Sequence, residues 1–340
     1  MNLAFLHGKP NVAASIRNAN ADFEVEEVLG FEPDGSGEHL WLWVEKSGQN
    51  TAYIGKQIAK AFGVSAKSVS HSGLKDRHAV TRQWFNLHWP IKQEIPKVEL
   101  EDAQILKVVR HGKKLKIGTH KANRFKIKIK LEHAANLDDR LNAIAKYGVA
   151  NYFGEQRFGR DGANLDNAIN LFKGELTVKD RKLRSIYLSA ARSYLFNEVL
   201  TARINADLFK PVLGDAFILA GSNSFFVPEA IDAVINQRFE SGDILLSGAL
   251  AGAGDTLVFG EVAALESQVL TQHQLLANGL TEAGLKQERR ALQLPAHDLK
   301  WSYQNDNTEF YITVEFELSA GCFATSVLRE IVDYVDITRS

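Results

Sequence analysis

The sequence has a single cysteine, Cys322, in 340 residues. That count excludes an internal disulfide and a cysteine-rich metal site. No apolar run approaches the roughly 20 residues that cross a bilayer. The opening stretch, MNLAFLHGKPNVAAS, lacks the basic head and long apolar centre of an export signal. A cytoplasmic chain free of membrane is therefore expected. An excess of charge is missing too, since the formal net charge is only −1. What is present is 45% hydrophobic and 24% charged residues, ample for a large core. The length exceeds the size at which one core usually stops growing, so two domains are expected.

The near-neutral total hides an uneven distribution. Residues 51–200 carry a surplus of +14 and the remainder a deficit of −15. From Lys107 to Lys130 there are ten Lys and Arg and no acid. Closely spaced cations release counterions from a phosphate backbone, so a polyanionic partner is one reading and a solvated face the other. Charge alone does not choose among RNA, DNA and an acidic protein.

Patterning gives mixed α and β structure without repeats. Asp22–Glu26, His39–Val44 and Ala79–Leu87 read as strands, the second apolar on both faces and so central. Ile54, Ile58, Ala61 and Phe62 form a helical stripe stopped at Gly63. Residues 124–131 alternate apolar and cationic side chains, a strand with one buried and one positive face. Phe310, Ile312, Val314, Phe316 and Leu318 mark another strand, and Val327, Leu328, Ile331 and Val335 a closing helix. Between about 150 and 297 helical patterns dominate: Leu188, Ala191, Leu195 and Val199 on one helix, Ile231, Val234 and Ile235 on another. Turns are expected at Ser247-Gly248 and at Gly252–Asp255. The strand-rich texture resumes after Pro295, which makes a first domain interrupted by an inserted second one.

Several cofactor signatures are missing. Gly48–Gln57 is no phosphate loop, because its glycines are too far apart and Gln57 stands where Ser or Thr should bind magnesium. The ten histidines form no H-E-x-x-H pair, and there is no G-x-S-x-G elbow. Neither metal nor nucleotide cofactor is expected. What remains is Gly73-Leu74-Lys75-Asp76-Arg77-His78-Ala79-Val80-Thr81-Arg82-Gln83. A carboxylate set among cations stays ionised, as a nucleophile or base must; the bland alternative is a surface salt-bridge cluster. Asn151–Gly162 interleaves aromatics, arginines and glycines, either a ligand-facing segment or a junction turn with Tyr152 and Phe158 in the core. Gly321-Cys322-Phe323-Ala324-Thr325 is a site edge or a plain strand-to-helix turn.

Together these segments resemble the TruD family of tRNA pseudouridine synthases, over nearly the whole chain. The family's G-x-K-D-x-x-A-x-T-x-Q signature is matched at Gly73, Lys75, Asp76, Ala79, Thr81 and Gln83. Its N-Y-F-G-x-Q-R-F-G block is matched at Asn151–Gly159, its N-R-F strand at Asn123-Arg124-Phe125, and its A-T-x-x-L-R-E ending at Ala324–Glu330. Ser319 stands where family members often carry proline.

The resemblance implies an α+β fold: a pseudouridine-synthase-type catalytic domain with a central mixed or antiparallel sheet, in residues 1–150 and 298–340. An α/β domain at 151–297 is inserted, the two forming an RNA-binding cleft. It implies isomerisation of uridine to pseudouridine in tRNA, at position thirteen in the bacterial family, with no cofactor or metal. Asp76 would be the essential carboxylate, paired with Arg329 or Lys75. Phe125 would stack on the flipped uracil, Asn123 would bond its edge, and Phe23 and Phe323 would line the pocket. A monomer binding tRNA and not DNA is expected. Lys126, Lys128 and Lys130 would face the RNA and most of the acidic remainder would face away from it. The rivals are a non-catalytic tRNA-binding or RNA-chaperone protein, disfavoured by the intact Lys75-Asp76 pair, and a glycosidase, for which no second carboxylate accompanies Asp76.

Overall fold

The structure, a computed structural model, describes residues 2–338 except 223, 307 and 308. The chain divides into two compact units. One comprises Pro10–Leu137, Ala296–Ala324 and the residues from Ile331 on. The other comprises the residues up to Lys9, Asp138–Pro295 and Thr325–Glu330. The sequence pattern placed these divisions at 150/151 and 297/298. Helix Asp138–Tyr147 instead counts with the second unit, as does strand Val149–Ala150, which pairs with Leu294 and Gln293.

The first unit is built on a mixed sheet of ten strands among the described residues. Along its path the order is His297–Asp306, Glu309–Ser319, Ala122–Leu131, Phe23–Val28, Val80–His88, His39–Ser47 and Ala103–His111. Phe23–Val28 and Val80–His88 run parallel, while the other neighbours on this path are antiparallel. Side chains of paired residues share a face, so the register fixes what each face carries. One row on the first face reads Lys46, Thr81, Val25, Phe125, Phe316; a neighbouring row holds Glu27, Asn123 and Leu318. The opposite face carries Glu45, Arg82, Glu26, Arg124 and Glu317 in one such row.

Helix Thr51–Ala61 is capped by Asn50, whose side chain accepts from the Tyr53 amide at 2.8 Å. It buries Ile54, Ile58 and Ala59 against Leu42, Val44, Phe85 and Leu87. Ala61 lies on its exposed side, and Gly63 follows with φ +65°, a left-handed stop. The closing helix ends earlier than its periodicity suggests, at Ile331. Residues Asp333–Asp336 form a strand parallel to Ala13–Ile16, and Val335 lies exposed on it. Exposure alternates along Asp333–Asp336, and pairing decides what a short apolar run cannot.

In the second unit, helix Arg181–Asn205 buries Leu188, Ala191, Leu195 and Val199 as expected. Helix Ala233–Glu240 starts only after its cap Asp232, so Ile231 precedes it and Val234 faces solvent. Ser247-Gly248 is no turn. Both lie within the buried strand Ile244–Leu250, where Gly248 makes room for Leu292: a Cβ there would meet its side chain at 2.7 Å. Tyr152 and Phe158 are core residues. Arg203 and Asp215 form a fully buried bidentate pair at 2.7 and 3.2 Å, holding Leu208–Asp215 against the long helix. Among the described residues, no helix is long and apolar enough to cross a membrane.

Candidate active site

Asp76 sits in the loop between the short strand Ser70–His71 and Val80–His88, folded over the first face of the sheet. Three tethers hold that loop. The Thr51 hydroxyl accepts from the Lys75 amide at 2.9 Å and donates to Gln83 Oε1 at 2.9 Å. Gln83 Nε2 in turn donates to the Gly73 carbonyl at 3.0 Å. Lys46 Nζ donates to the Asp76 carbonyl at 2.7 Å. Thr81 and Gln83, both fully buried, are thus structural parts of the signature and not surface polars.

The Asp76 side chain is 48% exposed, and its Oδ2 accepts from Arg17 Nη2 at 3.0 Å. Arg17 follows the strand Ala13–Ile16 directly, with φ +61°, a left-handed conformation that costs a non-glycine residue on the order of 1–2 kcal/mol. The turn lays its guanidinium 4.0 Å from the centre of the Phe23 ring. Its other nitrogen donates to Asp336, which also accepts from the Thr338 amide and hydroxyl. One buried guanidinium thus bridges a buried and a half-exposed carboxylate.

This corrects the expected pairing. Lys75 points its ammonium at the buried Glu27, 3.2 Å away, and Glu27 also accepts from Ser72. Arg329 belongs to the second unit, where it donates to the carbonyls of Leu3 and Ala4 at 3.0 Å and covers the Phe5 ring. The cation on Asp76 is Arg17, because the chain reversal after Ile16 brings it over Phe23 while Glu27 draws Lys75 away.

Lys46 was likewise invisible to motif reading. It is almost completely buried, and burial lowers its pKa to about 8 against the opposing pull of Asp76. Its signal was the alternation Leu42, Val44, Lys46, which aims a lysine into the core. Phe23, Val25, Glu27 repeats the pattern with a carboxylate.

Phe23 and Phe125 form the wall beside this network. Their ring centres are 6.4 Å apart at 79°, and Phe125 stacks on Phe316 at 5.4 Å. Both are buried, whereas Phe323, in the turn after Glu309–Ser319, is 42% exposed. Asn123 is buried on the same face, with Nδ2 3.4 Å from His120 Nε2 and Oδ1 without a partner among the described residues. Thr81 Oγ1 and His120 Nδ1 are also buried and unpartnered. Burial lowers the His120 pKa, and Lys75 lowers it further against the pull of Glu27, which favours the neutral ring. Buried polar atoms left without partners are uncommon, and three of them lie here on one patch of sheet.

The cationic strand differs from its sequence reading. Its apolar residues Phe125, Ile127, Ile129 and Leu131 are buried as expected. Its positive face, however, lies opposite the Asp76 loop and is met by acids. Arg124 stands 3.6 Å from Glu317 and Lys126 3.7 Å from Glu315. Lys130 pairs with Glu309, and Lys128 covers the Tyr311 ring at 3.9 Å. Arg82 adds Glu24, Glu26 and Glu45. The acids opposite these cations belong largely to the acidic remainder that was expected to face elsewhere; cross-strand pairing brought them together.

The model of tRNA pseudouridine synthase D (TruD) matches residues 2–167 and 163–331. A tRNA pseudouridine synthase D of Aeromonas hydrophila is 45% identical over 334 residues, covering 97% of this chain and 94% of its own. One of Colwellia psychrerythraea is 41% identical over 345 residues, covering 98% and 94%. A crystal structure from Methanosarcina mazei, described as tRNA pseudouridine synthase D (TruD), superposes with a TM-score of 0.81. It covers 99% of this chain and 97% of its own at 20% identity, a likeness of fold. By the extent of these matches, the chain belongs to the tRNA pseudouridine synthase D (TruD) family.

Proposed function

We propose that the protein isomerises uridine to pseudouridine in tRNA, at position thirteen, with Asp76 as the essential carboxylate. The observation that carries this reading is the state of that carboxylate. Oδ2 is fixed by a buried guanidinium, while Oδ1 has no hydrogen-bond partner among the described residues, on a half-exposed side chain. A group so oriented can reach a sugar carbon and is not consumed by structure.

The reaction breaks the C1′–N1 bond, turns the uracil and joins C5 to C1′; C5 loses its proton and N1 gains one. No atom is added, and no cofactor is required by that balance. Asp76 either attacks C1′ or takes the C2′ proton to give a glycal, and a primary isotope effect with 2′-deuterated uridine marks the second route. The target nucleotide must leave its stack, at a cost of a few kcal/mol. Phe23 and Phe125 supply an aromatic wall and Phe323 an exposed ring for the extruded base. Asn123 Oδ1 offers an acceptor for the N3–H edge. Lys75, Lys46 and Arg17 act on the loop and the carboxylate.

Tritium release from 5-tritiated uridine in tRNA tests the reading. Asp76→Asn is expected to lower it by about 10²–10⁴-fold or more, while tRNA binding persists. Turnover near wild type in that variant would remove Asp76 from the chemistry. Failure of the wild type to make pseudouridine would leave a tRNA-binding protein.

A further inference from the structure

The basic stretch splits into two parts with opposite fates. Its strand cations, Arg124 to Lys130, are met by carboxylates or a ring as described. The loop before the strand, His111–Lys121, has no acid in its sequence. Among the described residues, Lys113, Lys114, Lys116 and Lys121 form no ion pair, and all four are exposed. Asp34, whose carboxylate bonds the loop at Gly112, is taken up by His111 and by the Ser36 and Gly112 amides.

This loop is a held structure. Leu115 is buried against Leu29, Trp41 and Trp84, and its amide donates to Asn86 at 3.3 Å. Trp41 Nε1 donates to the Lys113 carbonyl at 3.1 Å. The Gly118 amide donates to the Ser72 carbonyl at 2.7 Å, which ties the loop to the one carrying Asp76. Between these anchors runs a groove of about 430 Å³ whose lining includes Phe31, Trp41, His111, Lys113, Lys114 and Lys116. Phe31 is 43% exposed, its ring tilted 31° from that of His111 at 5.9 Å. Unpaired ammonium groups beside an exposed aromatic ring match an unstacked nucleotide strand: phosphates on the lysines, a base on the ring.

We propose that the groove under His111–Lys121 grips the sugar-phosphate backbone of the substrate tRNA outside the reacting nucleotide, with one base stacked on Phe31. The proposal rests on the tRNA reading above. Extruding a base requires the flanking strand to be held, and a grip hydrogen-bonded to the Asp76 loop can supply that hold.

The test compares two triple variants, Lys113→Ala/Lys114→Ala/Lys116→Ala and Lys126→Ala/Lys128→Ala/Lys130→Ala, together with Phe31→Ala. Each is assayed for tRNA affinity across 50–200 mM salt and for single-turnover rate at saturating protein. The loop variant is expected to weaken binding at least tenfold and to flatten the log–log salt slope by about 2–3. Its saturating rate is expected to stay within twofold of wild type. Phe31→Ala is expected to weaken binding severalfold with the slope unchanged, and the strand variant to keep both affinity and slope. Wild-type affinity and slope in the loop variant would overturn the proposal. So would a lost saturating rate with unchanged affinity, which marks a loop that only supports Asp76. A wild type that binds with the lysine-dependent slope yet makes no pseudouridine overturns the functional reading and leaves the grip standing.

Discussion

Arg17 carries two carboxylates on one guanidinium, and its loss acts on both. Arg17→Ala leaves the buried Asp336 without its cation, a change worth about 3–5 kcal/mol for a buried pair. It also frees the orientation of Asp76. Urea unfolding is expected to show a loss of that order, and Arg17→Ala/Asp336→Asn to recover part of the stability but not the turnover. Equal loss in single and double variants would mean the pair does not carry the energy. Lys46 gives a pH signature. Its folded pKa of about 8 lies below the ordinary 10.5. Between these values the unfolded chain holds more protons than the folded one, so the contribution of this group to stability rises with pH there. The melting temperature of wild type minus that of Lys46→Met is therefore expected to shift toward wild type by at least about 2 °C between pH 7 and pH 10. A constant difference would show that the ammonium is not buried in solution. None of this was legible in motifs: Arg17 is one arginine in Ser15-Ile16-Arg17-Asn18, and only a chain reversal gives it work. Lys46 and Glu27 were legible in principle, as charges on the inward positions of alternating strands.

Elements were legible where periodicity met pairing and misread where pairing alone decides. The strand Ala122–Leu131 follows from alternation, and His39–Ser47 from a run apolar on both faces. Val335 and Ser247-Gly248 were misassigned because the partners that make them strands, Ala13–Ile16 and Leu219 to Phe217 beside Glu288–Ala291, lie far away in sequence. Gly279 shows competition between local and tertiary effects. It lies inside helix Gln274–Glu282, where alanine ordinarily gains about 1 kcal/mol. Here the Phe172 ring lies 2.2 Å from where a Cβ would stand. Displacing a packed ring costs about 1–3 kcal/mol, so Gly279→Ala is expected to be net destabilising by up to about 2 kcal/mol. A melting temperature above wild type would show that the ring yields freely.

At the scale of the whole molecule, the charge arithmetic gave a partial truth. The surplus in residues 51–200 is real, but sheet pairing quenches its strand portion with acids from the C-terminal segment. Among the described residues, the loop His111–Lys121, hydrogen-bonded to the loop that carries Asp76, keeps four lysines without an ion pair. Folding thus converts a composition into a location, which no count along the chain could do. The same long-range closure has a consequence in time. Arg17 is secured by Asp336, 319 residues away, through a strand pair joining the two ends of the first unit. A chain still being synthesised displays Asp76 early, but the residue that secures its arginine follows only after the whole Asp138–Pro295 segment. The support of Asp76 by Arg17 is therefore complete only once the strand Asp333–Asp336 has been made and has paired with Ala13–Ile16, and a chain short of that point holds an aspartate without it.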